Sequence, residues 1–306
     1  MALIAQLQEI WRAQLEKYLL VNPVFVDVLC NRNYEADLKN NKTVHIISIP
    51  ELTGRTYSVN QYNVSPNDWV WDKASTTSQT FKAGQTFEIH PNVDPLEQYG
   101  SAIKLIDEIA VRVARALRLA QDTYISGLHT GITTNTYGTN ADPIVVGFNK
   151  AGNETLPTLA LSQLQRLAAS SNADVSVFKT VVPVWLAQML NEQLGQHFTP
   201  MGDKATASGV RPGVPMEVGV GGFDAIVPSN NVAYDTTTGV NAYKVMAGNP
   251  SSSITFAEAV TVSETGKVQA GYGDYIKMLN VYGGLIPVQG QMSLGTFVEG
   301  TPLSLI

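Results

Sequence analysis

Residues 94–127 read DPLEQYGSAIKLIDEIAVRVARALRLAQDTYISG, and this stretch decides the fold. Asp94-Pro95-Leu96-Glu97 is a helix start. An aspartate cap accepts the free N–H groups of the first turn, proline at the first helical position gives up an N–H that has no partner there, and glutamate three residues after the cap reaches back to it. Apolar side chains then recur every three or four residues at Tyr99, Ile103, Ile106, Ala110, Val113, Leu117, Ala120 and Tyr124. Lys104, Asp107, Glu108, Arg112, Arg115 and Arg118 fall largely off that stripe, so the helix's charged groups read as a solvated or interface face. At 1.5 Å per residue the predicted helix is a rod of about 45 Å, roughly three times the usual length. It should be the spine of the fold.

Working outward, Leu7, Ile10, Trp11, Leu15, Tyr18 and Leu19 approximate an amphipathic helix over Ile4–Leu20, ended by Asn22-Pro23. The apolar, β-branched run Val24–Leu29 and the polar stretch Asn31–Lys42 that follows read as an extended arm. Thr43–Ile49, Arg55–Tyr62 and Thr80–His90 are strand candidates. Between the second and third lies Asp68-Trp69-Val70-Trp71-Asp72; side chains alternate across a strand, so both indoles would project from one face of a long hairpin. Beyond the spine a helix is predicted over Leu159–Ser171, buried through Leu161, Leu164, Leu167 and Ala168. A strand over Val175–Val182, a helix over Pro183–Leu194, a loop over Thr199–Gly222, a strand over Phe223–Val227 and a turn at Ser229–Val232 come next. Late strands are expected at Ala242–Ala247, Ser253–Ala257, Tyr275–Tyr282 and Leu285–Val288. The fold class is α+β.

Composition narrows the function. Charged residues are only 15% of the 306, against about 25% in an ordinary soluble domain. Much of the surface would then be covered by other subunits, whose contact cores are poor in Lys, Glu and Asp; a monomer coated in Ser, Thr and Asn fits the same composition. A formal charge of −6 argues against binding nucleic acid through a broad basic face. The longest apolar runs fall short of the roughly 18 residues a membrane helix needs. The first residues show neither a basic n-region nor a sustained apolar stretch, so no secretory signal is expected.

Catalytic chemistry finds little support. Cys30 is the sole cysteine, and His45, His90, His129 and His197 are scattered without metal-ligand spacing, so neither a disulfide nor a metal site is expected. Glu264-Thr265-Gly266-Lys267-Val268 lacks the first glycine and final hydroxyl of a phosphate loop and reads as a hairpin turn. Gly219-Val220-Gly221-Gly222-Phe223 precedes a strand, unlike a dinucleotide fingerprint. The remaining constellation is Asp68, Trp71 and Asp72, carboxylates beside aromatic platforms as in a glycosidase or glycan-binding protein. The same residues also suit a hairpin that buries two indoles against another subunit.

The order of elements carries more than any motif. An amphipathic arm, the segment Asn31-Arg32-Asn33-Tyr34-Glu35-Ala36-Asp37-Leu38-Lys39, a long hairpin returning through Phe81–Ile89, and then the spine helix resemble the major capsid protein of tailed bacteriophages, with the coat fold named after phage Hong Kong ninety-seven. Val181-Val182-Pro183 falls where that pattern opens its A-domain helix, Gly222-Phe223 where the following strand begins, and Val281-Tyr282-Gly283-Gly284 in the return strands. The resemblance implies an N-arm at 1–42, an E-loop with base strands at 43–93, a P domain with the spine helix at 94–174, an A domain at 175–251, and return strands with a C-terminal segment at 252–306. It implies a structural protein, not an enzyme, that assembles with itself into the pentamers and hexamers of an icosahedral virion shell around double-stranded DNA, bound without sequence specificity. Synthesis in the host bacterial cytoplasm, a scaffolding protein, a portal and optionally a decoration protein as partners, no cofactor and no membrane follow from the same likeness. Subunit contacts are expected at Trp11, Tyr18, Arg32, Tyr34, Tyr57, Tyr62, Trp69 and Trp71. A cellular nanocompartment shell of encapsulin type would share the fold while enclosing protein cargo.

Overall fold

In the computed structural model, which describes residues 24–40, 43–48, 77–93, 95–149, 152–196, 222–236, 239–267 and 274–302, the chain begins with α1 (Val24–Leu29), β1 (Cys30–Asn31) and α2 (Glu35–Asn40). Strands β2 (Thr43–Ser48), β3 (Thr77–Lys82), β4 (Gln85–Ile89) and β5 (Asn92–Val93) lead into α3 (Pro95–Gly127), an unbroken helix of 33 residues that matches the predicted spine. Then come β6 (Thr136–Tyr137), β7 (Ile144–Val146), α4 (Pro157–Ser170), β8 (Lys179–Val182), α5 (Val184–Gln196), β9 (Ala225–Pro228), β10 (Tyr234–Asp235), β11 (Ala242–Gly248), β12 (Ile254–Lys267), β13 (Asp274–Leu285) and β14 (Met292–Glu299). The predicted N-terminal helix, the Asp94 cap, the Arg55–Tyr62 strand, the Trp69–Trp71 hairpin and most of the 199–222 loop lie outside the described residues.

Two sheets organise these elements. One runs β1-β12-β13-β4, with β5 also on β13; the other runs β6-β14-β11-β8-β9, with β7 on β14 and β10 on β11. A separate ladder joins β2 to β3. The first sheet packs on α1 and α3, burying Phe25, Val26 and Leu29 with Val113, Leu117, Ile125, Phe256 and Tyr282. The second is covered by α4 and α5, whose Leu161, Leu164, Leu186 and Leu190 meet Phe178, Phe223 and Phe297. Each fully buried side chain of this kind stabilises the fold by about 1.5–3 kcal/mol. Where β13 passes the end of β3, only a glycine fits: a Cβ on Gly283 would stand 2.5 Å from the Lys82 carbonyl oxygen.

Several expectations are corrected. Val24–Leu29 is a helix, not extended arm, because burying Phe25, Val26 and Leu29 on one face outweighs the modest strand preference of β-branched residues. The polar stretch after it also turns helical at α2, where Glu35 accepts from Lys39 at 2.7 Å. Thr80–His90 is two strands in different sheets, separated at Ala83-Gly84. The strand predicted over Val175–Val182 is confined to Lys179–Val182, and Leu285–Val288 is no strand of its own, since Leu285 closes β13. Glu264–Lys267 is no turn: it continues β12, with Gly266 opposite Tyr275 and under that residue's ring. Strand β14 was not foreseen, although Met292–Val298 is its fully buried run.

Cys30 is buried, and burial pushes its thiol pKa up, consistent with a small core residue. On the spine, Val113 and Leu117 are buried as expected and Arg112 and Arg115 are exposed. Asp122 departs from the solvated-charge reading, being 4% exposed.

Candidate functional site

The described members of the expected contact set, Arg32 and Tyr34, sit between β1 and α2 and pack against β12. Trp11, Tyr18, Tyr57, Tyr62, Trp69 and Trp71 lie outside the described residues. The Arg32 guanidinium lies 5.6 Å over the Phe256 ring, with Nη1 3.7 Å from a Glu35 oxygen and Nη2 3.8 Å from a Glu258 oxygen. The ion pairs are loose and half exposed, worth about 0–1 kcal/mol each, whereas the arginine stem and ring add packing. Tyr34 packs against the small core of Leu38, Phe81 and Ala257, and its carbonyl accepts the Leu38 N–H at 3.0 Å. Both residues thus have partners within the chain.

Glu258 anchors a wider polar cluster at the irregularity in the β12–β13 register between Glu258 and Val260. Gln121 of the spine donates to Glu258 at 3.1 Å and approaches the Asn280 oxygen at 3.5 Å, and Asn280 donates to Thr261 at 2.8 Å. Arg118, one turn earlier on the spine, is drawn down in pKa by burial and pulled back by the charges of Asp27 and Glu258.

Asp122 supplies the firmest link. Its carboxylate accepts the backbone N–H groups of Val24 (3.2 Å) and Phe25 (3.1 Å) and the Asn231 amide (3.4 Å). Burial raises the carboxyl pKa, while the bonds from Phe25, Asn231 and Val24 work against that rise. A spine residue therefore holds the first turn of α1 in place. The sequence carried a signal for Gln121 in the spine's own period, which runs Val113, Leu117, Gln121, Ile125 in steps of four. It carried none for Asp122, whose donors appear only once α1 is in place.

Chemically the cluster positions backbone and closes on itself. Among the described residues no group of His, Cys, Asp and Glu could hold a metal ion, and no helix is long and apolar enough to cross a membrane. Exposed apolar side chains lie elsewhere: Ile47 on β2 (66% exposed), Leu119 on the outer spine (51%) and Tyr234 on β10 (59%).

No protein-family model and no curated protein matches the chain. Solved structures do. A chain from Mycobacterium phage Che8 is similar at 21% identity over 90% of this chain and 91% of that one, with a TM-score of 0.61. The capsid of Ralstonia phage GP4 gives 9% identity, 84% and 83% coverage and a TM-score of 0.58. A virus-like particle from Pyrococcus furiosus gives 8% identity, 94% and 98% coverage and a TM-score of 0.54. With its long spine helix, its two sheets and a likeness over 84–90% of its length, the chain has the α+β coat fold of tailed-phage capsid proteins.

Proposed function

We propose that the chain is a structural major capsid protein that assembles with itself into the pentamers and hexamers of an icosahedral shell enclosing double-stranded phage DNA. The observation that carries this reading is the extent of the fold likeness, which covers 90% of this chain against the Che8 chain and 84% against the GP4 capsid. Closed rings of five and six require head-to-tail contacts, in which one patch meets a different patch on the next copy. Exposed apolar groups such as Ile47, Leu119 and Tyr234 suit surfaces that other copies cover.

In this reading 1–42 is the N-arm, 43–93 the E-loop, 94–174 the P domain, 175–251 the A domain, and 252–306 the return strands and C-terminal segment. Trp69 and Trp71 anchor the hairpin on a neighbour, Trp11 and Tyr18 dock the arm, and Arg32, Tyr34, Tyr57 and Tyr62 flank those contacts. The protein acts as a wall and not as an enzyme. It is made in the host cytoplasm, and a scaffolding protein, a portal and optionally a decoration protein are its partners. The net negative charge fits a lumen that contains the duplex without adsorbing it.

Replacing Trp69 and Trp71 together with alanine tests the assembly mechanism. Hot-spot tryptophans cost at least about 2 kcal/mol each when truncated, and every 1.4 kcal/mol is about tenfold in affinity. The double variant should form no shells, or shells that fall apart at lower urea; shells of unchanged stability would contradict the anchoring role. A nanocompartment shell is the second reading, favoured by the likeness to the virus-like particle. Analysing what purified particles enclose separates the two, genome-length DNA against a protein cargo.

A further inference from the structure

Outside the arm–spine cluster, the turn that carries the chain from β11 in one sheet to β12 in the other is built around Asn249. Asn249 is 4% exposed and stands directly before Pro250. Its side-chain oxygen accepts the Ser251 N–H at 3.1 Å and the Ser251 hydroxyl at 2.9 Å, and its Nδ2 donates to a carboxylate oxygen of Asp174 at 2.9 Å. Three donors meet on its main-chain carbonyl oxygen: the N–H groups of Ser252 (3.0 Å) and Ser253 (2.9 Å) and the Ser253 hydroxyl (2.5 Å).

These contacts bear on the Asn249–Pro250 peptide bond. Three donors on one carbonyl oxygen draw charge from its carbon and are in place to stabilise the oxyanion that forms when a nucleophile adds there. The nucleophile nearest in the chain is the Asn249 carboxamide nitrogen, whose attack closes a five-membered ring by rotations about Cα–Cβ and Cβ–Cγ alone. Closure within one residue avoids the entropy cost of bringing two molecules together. The usual alternative for an asparagine, attack on its side chain by the next backbone nitrogen, is closed because Pro250 has no N–H. Asp174 is in place to take the proton. In keeping with that, hydrogen bonds from Ser176, with a smaller one from Asn249, hold its carboxyl below the usual range, so it is ionised at neutral pH.

We propose that the chain cuts itself between Asn249 and Pro250, with Asn249 as the nucleophile and Asp174 as the proton carrier. Nδ2 attacks the Asn249 main-chain carbonyl carbon. The Nδ2–C bond forms, the bond from that carbon to the Pro250 nitrogen breaks, and the proton lost by Nδ2 passes through the Asp174 carboxylate to the proline nitrogen. One piece then ends in a succinimide at 249, and the other begins with the free secondary amine of Pro250. Nothing is oxidised or reduced, and the cut consumes no water. The ladders hold the pieces together: β12 stays paired to β1, β13 to β4 and β5, and β14 to β6, β7 and β11, all across the cut. What the cut removes is the covalent tie between the two sheets at that turn. The inference concerns a single chain and does not depend on the capsid reading.

The test is intact mass measurement of the full-length protein, incubated at neutral pH over weeks and denatured at each time point. The expected result is a decaying intact species and two growing pieces, 1–249 and 250–306, whose masses add up to that of the intact chain. The 1–249 piece should be one water lighter than a hydrolytic cut would leave it, which separates ring closure from a contaminating protease. Ser253→Ala, with an unchanged circular dichroism spectrum as proof of folding, should slow the cut about a hundredfold, and Asp174→Asn should slow it as well. An intact species that persists undiminished in the wild-type protein overturns the proposal. So does a 1–249 piece that carries the extra water from its first appearance, which assigns the cut to a protease. An unchanged rate in Ser253→Ala overturns the role of the carbonyl donors, and an unchanged rate in Asp174→Asn overturns the proton carrier.

Discussion

Replacing Phe297 with alanine is expected to lower the folding stability of the unassembled chain by about 3–5 kcal/mol, the range for a fully buried phenylalanine whose site cannot collapse. Phe297 is 0% exposed and lies in β14, between β11 on one side and β7 on the other. Its ring meets Tyr137 edge-on, with centroids 6.1 Å apart and planes at 72°. It also covers Gly295 of the same strand, where a Cβ would come within 2.5 Å of the ring. The pocket is thus walled by backbone as well as by side chains, so little can move in to fill it. For the same reason Gly295→Ala is expected to overpack the site and cost about 1–3 kcal/mol. Urea denaturation followed by far-ultraviolet circular dichroism checks both, with a lower midpoint and an unchanged slope. A loss below about 1 kcal/mol for Phe297→Ala would mean the ring is not the keystone of that core.

The second large effect concerns Asp122. Asp122→Ala leaves the N–H groups of Val24 and Phe25 without their acceptor. Buried donors left unpaired cost about 1–3 kcal/mol each, so a total loss of about 2–4 kcal/mol is expected after relief of the buried charge is allowed for. Asp122→Asn should lose less, because its one oxygen can still serve one donor. The pH dependence has a definite sign. The folded-state pKa is raised, chiefly by burial, so the folded chain takes up the proton before the unfolded chain does. This group's contribution to stability is fully present below the unfolded pKa of about 3.9 and is lost as pH rises through the folded value. The wild-type protein should therefore gain on the Asp122→Asn variant as pH falls through that window. A gap between the two that stays constant from neutral pH down to the unfolded pKa would show that the carboxyl is not the buried group described.

How much of this was legible in the sequence depended on period and on length. The spine was plain because its apolar stripe repeats over many turns, with Val113 and Leu117 buried and Arg112 and Arg115 exposed as the pattern requires. A six-residue apolar run such as Val24–Leu29 has no such redundancy, since helix and strand readings fit it equally until tertiary burial chooses. Strand β14 escaped because it is buried on both faces and carries Ser293, Gly295 and Thr296 among its apolar residues, so it shows neither alternation nor a continuous hydrophobic run. Of the β12–β13 hairpin, the start of β12 at Ser253–Ala257 and most of β13 at Tyr275–Tyr282 were recognisable, and the rest of β12 was not. Its outer ladder from Ser263 to Lys267 is polar and owes its structure to the opposing strand.

The candidate site was legible in the same uneven way. Of the expected contact set, Arg32 packs on Phe256 and pairs with Glu258, and Tyr34 packs beside Phe81, all within one chain. Asp122 and its donors Val24, Phe25 and Asn231 lie far apart in sequence with no fixed spacing. Only the register of the sheets and the docking of α1 make them neighbours.

Negative-stain electron microscopy of the purified expression product tests the central claim most directly, because assembly can be seen without knowing any substrate. The account predicts closed shells, tubes, sheets or capsomer rings. A uniform field of small particles, persisting in concentrated protein and after addition of a candidate scaffolding partner, would contradict it and return Asp68, Trp71 and Asp72 to the glycan-binding reading.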